Sequence, residues 1–474
     1  MAKSYLPYSA WAGLSLLLLV PCYWHPRIVS VDLGSHIYNA WLTLQVSGGQ
    51  VQGIEIASQW NNVLFDWLLA GLLPLAGPDW AQRIAVSLGV LVFAGGSMMF
   101  IITTSRRVPW HILPGVAMLA YGFVFHLGLF NFYFSAGFCL GALALLWNFS
   151  MRRALWAAPL IVLGILSHPL PVIWLAAVMT FTTMARWVAV RNRHVLTVVM
   201  FGILLAAAGL LSRFLECKWK PVQVYLWSGA DQSVVYGDAY VVWGLAWLVW
   251  WTLLFGLLIF RLGWPRVLKS VLFHLIFLQA VMLIFVPTQI REVPGYPAPF
   301  AFFTERMSLL QGVLVCALLA RVPLNRAVLV PSYLLGASYF YWLHGDDGLM
   351  VRFEDKVIAM TASMPGFPRV LGGLCTPARR LNYAAHFVDR ACVGKCYSYG
   401  NYEPSSGQFR LRARPGNRYV VSEIGRAYAL ERGEAKVRAE ELPLLRVEGI
   451  LGGEVTLREL QEGEEVAPPC PEGR

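Results

Sequence analysis

Residues 31–44 read Val-Asp-Leu-Gly-Ser-His-Ile-Tyr-Asn-Ala-Trp-Leu-Thr-Leu. Wound as a helix, Asp32, His36, Asn39 and Thr43 fall on one stripe, and Leu33, Ile37, Trp41 and Leu44 fall on another. This places a carboxylate and an imidazole one turn apart on the polar face of a surface helix. The carboxylate can take a proton from a hydroxyl or hold a cation, and the imidazole can orient it or meet a phosphate. A structural role is equally open, because Asp is favoured at helix N-caps and Asp32 stands where such a cap would sit. Glu55 and Asn61, further along the same stretch, add a carboxylate and an amide to the candidate binding set.

Cations suited to phosphate occur in later loops. Arg291 and Glu292 precede a loop stiffened by Pro294, Pro297 and Pro299, and Glu305 and Arg306 open the next apolar run. An Arg there can present its fork of donors to a phosphate, or it can simply pair with a neighbouring Glu at a helix start. Trp219, Tyr225 and Trp227 are interleaved with Arg213, Lys218 and Lys220 and can stack on a sugar, although interfacial aromatics are common in any membrane protein. His126, near Asn131, and His168, before Pro169, are weaker candidates that are more simply read as hydrogen-bonded structural residues.

The elements that must carry these residues are apolar. Of the 474 residues, 57% are hydrophobic and 14% charged, against about 45–50% and about 25% in soluble domains. Apolar runs bounded by Arg, Lys or Pro suggest about eleven membrane spans: 8–25, 80–104, 110–127, 132–149, 155–166, 170–185, 195–212, 240–260, 270–287, 307–320 and 327–343. The first leads into Pro26 and Arg27 without a small-residue cleavage site, so it is read as a span rather than a cleaved signal. Residues 62–76 are apolar but short and carry Asp66 and Pro74, which predicts an interfacial segment.

Residues 345–474 hold 18 basic and 18 acidic side chains, leaving 20 and 9 for the rest, so the whole +11 excess belongs to the apolar part. With the N-terminus in the cytoplasm, Lys3 and the arginines and lysine of 106–107, 152–153, 186–193, 261–269 and 321–326 face inside, and every acid faces outside. That pattern accounts for the charge without nucleic acid. It also puts residues 345–474 outside, as a small extracytoplasmic α/β domain after a transmembrane domain of residues 1–344.

In that outer segment Asp346 and Asp347 are predicted to cap a helix ending near Ser363, with a short strand at 368–371 and another at 408–413. An oxidising compartment and close spacing favour a disulfide between Cys392 and Cys396 over a metal site, for which His386 stands alone. The partners of Cys375 and Cys470 are left open.

The arrangement resembles the GT-C class of integral membrane glycosyltransferases. The likeness rests on the first span, the loop opening at Asp32, the interfacial run from Asn61 to Pro78, Ala81-Gln82-Arg83-Ile84 at the next span and Arg106-Arg107 closing it. The resemblance implies an all-α polytopic fold in a bacterial-type plasma membrane, with interfacial helices in the first external loop. It implies transfer of a sugar from a polyprenyl-phosphate carrier to a glycan, lipid or protein acceptor, with Asp32 as the base. Many members follow the Asp directly with Glu where Leu33 and Gly34 stand here, so a divalent metal is left open and no other cofactor is called for. The alternative from a different class is a transporter or flippase for a lipid-linked or small solute, which would place ionisable groups near the bilayer midplane. A third is a scaffold acting through the outer segment, for which Asp32 would be dispensable.

Overall fold

In the computed structural model the described residues are 8–291, 301–377, 379–466, 468 and 470. Hydrocarbon offers backbone groups no partner, so an apolar chain crossing it must satisfy them within helices. Five helices among the described residues are long and apolar enough to cross: Leu64–Ser105, Trp110–Leu127, Pro169–Trp187, Val190–Phe214 and Asp238–Leu262. Shorter apolar helices, Trp11–Cys22, Phe130–Leu146 and Val271–Phe285, pack beside them. Only 11% of the most apolar stretch of Val190–Phe214 is covered by protein. Val198, Ile203 and Leu210 are more than half exposed. Apolar helix surface left open on this scale is stable in lipid and not in water.

The helices have two chemically distinct ends. At one, Arg107 donates to the carbonyls of Ala320 and Val322, Arg321 to Ser270 Oγ, Arg193 to the carbonyls of Lys269 and Ala185, and Arg186 to that of Trp147. The basic residues of separate loops thus form one layer. At the other end lie Asp32, Asp66, Arg306 and the segment after residue 362.

Residues 64–76 form a helical segment of their own, as the sequence pattern expects: Gly77 (φ 71°, ψ 170°), between Pro74 and Pro78, separates them from the helix that runs on to Ser105. The chain reverses at His168, between helices Met151–Ser167 and Pro169–Trp187.

The expected cap at Asp346 and Asp347 is corrected: the helix Arg326–Ala362 runs unbroken through residues 344 and 345. Both carboxylates are taken by neighbours instead, Asp347 by Tyr236 Oη at 2.5 Å and Asp346 by Tyr240 Oη at 2.9 Å and Arg379 at 3.3 Å. Beyond it, the expected strand at 368–371 extends as Arg369–Cys375 and lies in a four-stranded sheet. It is parallel to Tyr397–Ser398 and to Leu445–Ile450, which forms an antiparallel pair with Val455–Glu459. Of 408–413 only Leu411–Ala413 is strand, and its partner is Ile54–Ile56 of the first loop, with Ile54 opposite Ala413.

Cys392 and Cys396 are at bonding distance, with Cα atoms 4.5 Å apart, and so are Cys375 and Cys470, at 5.3 Å. The first link ties the turn after helix Phe387–Cys392, and the second closes a loop of 95 residues. Chain-entropy arguments give about 4–5 kcal/mol for a loop of the second kind and about 2 kcal/mol for the first. Cys470→Ser is therefore expected to lower the chemical-denaturation midpoint of the segment after residue 362 more than Cys392→Ser. The measurement is paired denaturant titrations, and the reverse order would contradict it.

Candidate functional site

The loop that delivers Asp32 is pinned by backbone hydrogen bonds from Val31 to His126 (2.8 Å) and from Asp32 to Leu127 (3.2 Å). The close crossing needs Gly128, whose φ is +91° and whose Cβ would run into the Asp32 backbone. The helix Leu33–Ser47 follows, as the polar and apolar stripes predict. The Asp32 side chain makes no capping bond to it, which corrects the capping alternative. The carboxylate, 22% exposed, turns instead toward His386, whose Nε2 lies 3.6 Å from Asp32 Oδ1.

His386 is itself held from behind. Its Nδ1 is 2.6 Å from Asp389 Oδ2, and Asp389 Oδ1 accepts from Ser398 Oγ. Gly34 is what admits this arrangement, because a Cβ there would collide with the His386 carbonyl oxygen. The helix Phe387–Cys392 packs on Leu33–Ser47 and presents Asp389 one turn past the imidazole. A row of Asp32, His386, Asp389 and Ser398 results, assembled from the first loop and the segment after residue 362.

A second row begins at His36. Its Nδ1 is 2.8 Å from Asp66 Oδ1, and Asp66 Oδ2 accepts from Asn131 at 3.1 Å. The ring lies edge-on to Phe65, 5.2 Å between centroids, which fixes its plane. Asn39 exchanges hydrogen bonds with Asn401, 2.6 Å for the shorter, and donates to Ser35 Oγ at 3.0 Å. Thr43 bonds back to the carbonyl of Asn39. Glu403, 5% exposed, accepts from Ser35 Oγ at 3.4 Å. A narrow cleft opens here between Asn39, Asn62, Asp66, Glu403 and Arg410.

The remaining candidates divide. Arg306 meets His168 Nε2 at 3.1 Å and is close enough to bear electrostatically on Asp32, so it belongs to the site. Glu305 is buried next to it in sequence but bonds Thr304 and lies near Asp231 and Arg380. Arg291 pairs with Glu216 at 3.2 Å on the ribbon joining Glu216–Lys218 to Gln289–Arg291, and Glu55 pairs with Arg414 at 2.9 Å on the other ribbon. Asn61 is exposed, and its carbonyl accepts from Gln59. Arg291 and Glu55 are thus each paired across a ribbon at the surface rather than gathered around Asp32. Glu292 lies outside the described residues.

Burial governs the protonation of this cluster. It pushes the Asp32 carboxyl above its ordinary value, partly offset by His386, His36 and Arg306. For both histidines burial opposes charging but is outweighed. Asp66 brings His36 up to about 9, and the hydrogen bond and charge of Asp389, with Asp32, bring His386 up to about 9. Burial raises Glu403 to about 8 and Glu431 to about 7. Near neutral pH two imidazolium rings and a guanidinium thus flank the Asp32 carboxyl.

His386, Asp389, Glu403 and Asp66 are the members of this cluster that sequence spacing did not single out. His386 and Asp389 are three apart on one short helix, and that spacing was the available signal. Among the described residues no three His, Cys, Asp or Glu side chains converge on a metal-sized point. No family model, curated protein or solved structure matches the chain.

The raised histidines set a pH dependence. Folded His36 and His386 keep their protons to about pH 9, whereas in the unfolded chain they release them near 6.5, so the folded state binds more protons across that window. Their stabilisation is complete below 6.5 and lost as the pH rises, and Glu403, raised from 4.5 to about 8, acts in the same direction. The thermal midpoint of the purified protein is expected to fall by several degrees from the lower to the upper end of this window. His36→Gln and His386→Gln should each flatten the slope, and a level or rising wild-type profile would contradict the assignment.

Proposed function

We propose that the protein is a membrane glycosyltransferase that moves a sugar from a polyprenyl-phosphate carrier to an acceptor hydroxyl at the extracytoplasmic face. The observation that carries this reading is Asp32, a half-buried carboxylate beside the membrane helices, backed by His386 and Asp389 and close to Arg306. Burial raises the basicity of Asp32, and the two histidines and Arg306 partly offset that rise by favouring its charged form. In the proposed reaction the acceptor oxygen bonds to the anomeric carbon as the bond from that carbon to the carrier phosphate breaks. The acceptor proton passes to Asp32, and the departing phosphate is met by Arg306. Inversion at the anomeric carbon follows from attack opposite the leaving group.

The same reading takes the helices as eleven passes, with the basic layer in the cytoplasm and residues beyond 362 outside. A transporter or flippase would call for ionisable groups midway through the bundle. The clustering of the charged side chains toward the two helix ends favours the enzyme.

The experiment is a steady-state assay of the full-length protein in detergent with defined polyprenyl-phosphate sugars and a panel of glycan and lipid acceptors. Asp32→Asn is expected to lower turnover about 10²- to 10⁴-fold, the usual range for general base catalysis, with expression and donor binding nearly retained. Arg306→Ala should chiefly raise KM for the donor. Near-normal turnover in Asp32→Asn would remove it from the chemistry.

A further inference from the structure

At the end of the helices opposite Asp32 a groove of about 470 Å³ runs between the starts of Val190–Phe214 and Val271–Phe285. Its place follows from the chain: both helices reach, at their far ends, the ribbon of Glu216–Lys218 and Gln289–Arg291, beside which the Arg306 helix begins. The groove's size is within the roughly 300–1,000 Å³ of ordinary ligand pockets.

Its walls are apolar, formed by Val198, Trp264, Leu268, Phe273 and Phe277. They open sideways toward lipid, with Val198 64% and Phe277 46% exposed. Arg191, His194 and Lys269 also line it. None of the three is in an ion pair within 4 Å among the described residues, unlike His36 and His386 around Asp32. Nor can nearby chain supply a carboxylate, because residues 80–215 and 239–291 contain no Asp or Glu. A counter-charge for these exposed residues would have to come from outside the protein, and the apolar walls suit one attached to hydrocarbon.

We propose that this groove binds one anionic glycerophospholipid, its phosphate on Arg191, His194 and Lys269 and an acyl chain along Trp264, Phe273 and Phe277. Arginine and lysine meet a lipid phosphate by charge-assisted hydrogen bonds, and basic pockets between membrane helices bind such headgroups. The binding serves as an anchor and does not depend on the glycosyl-transfer reading.

Native mass spectrometry of the full-length protein, released from micelles holding equal dioleoyl phosphatidylglycerol and dioleoyl phosphatidylcholine, tests it. The wild type is expected to retain one phosphatidylglycerol several-fold over phosphatidylcholine. Arg191→Gln with Lys269→Gln should abolish that preference, whereas Arg152→Gln with Arg153→Gln, in the same basic layer but outside the groove, should preserve it. Should the first double variant fail to fold, His194→Gln alone is expected to weaken the preference. Absence of a wild-type preference, equal loss in both double variants, or displacement of phosphatidylglycerol by an added polyprenyl phosphate would each overturn the proposal.

Discussion

Glu354, 2% exposed, is held between Arg27 Nε at 2.9 Å and Arg390 Nε at 3.3 Å. Those three residues come from the loop after the first helix, the long helix Arg326–Ala362 and the short helix that carries Asp389. Removing one member of such a buried cluster leaves the others charged and uncompensated, at about 3–5 kcal/mol. The cluster therefore fixes which way the C-terminal segment sits on the first loop, and the approach of His386 to Asp32 follows. Arg390 also donates to the carbonyl of Ile28, only a few residues before the carboxylate it helps to frame.

The charged side chains of the helical part are managed differently at its two ends. Around Asp32 they are partnered by opposite charges, half-buried and shifted in protonation by one another. At the other end, arginines donate to backbone carbonyls at helix termini, where orphan acceptors and the negative end of the helix dipole welcome them. One end is built for precise side-chain geometry and the other for tying loops together.

Much of this was readable from local pattern. The stripe of Asp32 and His36 predicts the helix Leu33–Ser47, and the turn at Ser167, His168 and Pro169 separates two helices because Pro begins a helix more readily than it continues one. The pairing of Cys392 with Cys396 was also a matter of spacing. The partners of the stripe were not legible. His36 reaches Asp66, Asn39 reaches Asn401 and Asp32 reaches His386, and contacts across tens to hundreds of residues leave no periodic trace. Asp346 and Asp347 misled for a related reason: two acids after an apolar run resemble a helix start, but Tyr236, Tyr240 and Arg379 supply the partners that let the helix continue.

The joining of Asp32 to His386 has a consequence for biosynthesis. The first loop leaves the ribosome early and reaches its side of the membrane while nearly all of the chain is still unmade. Its carboxylate, and the edge of Ile54–Ile56 that later pairs with Leu411–Ala413, must wait for segments translated near the end. A ribosome that stops after the long helix would release a product able to sit in the bilayer with half a site and an open strand edge. Completion of the Asp32 cluster and of that strand pair therefore waits on the segment after residue 362.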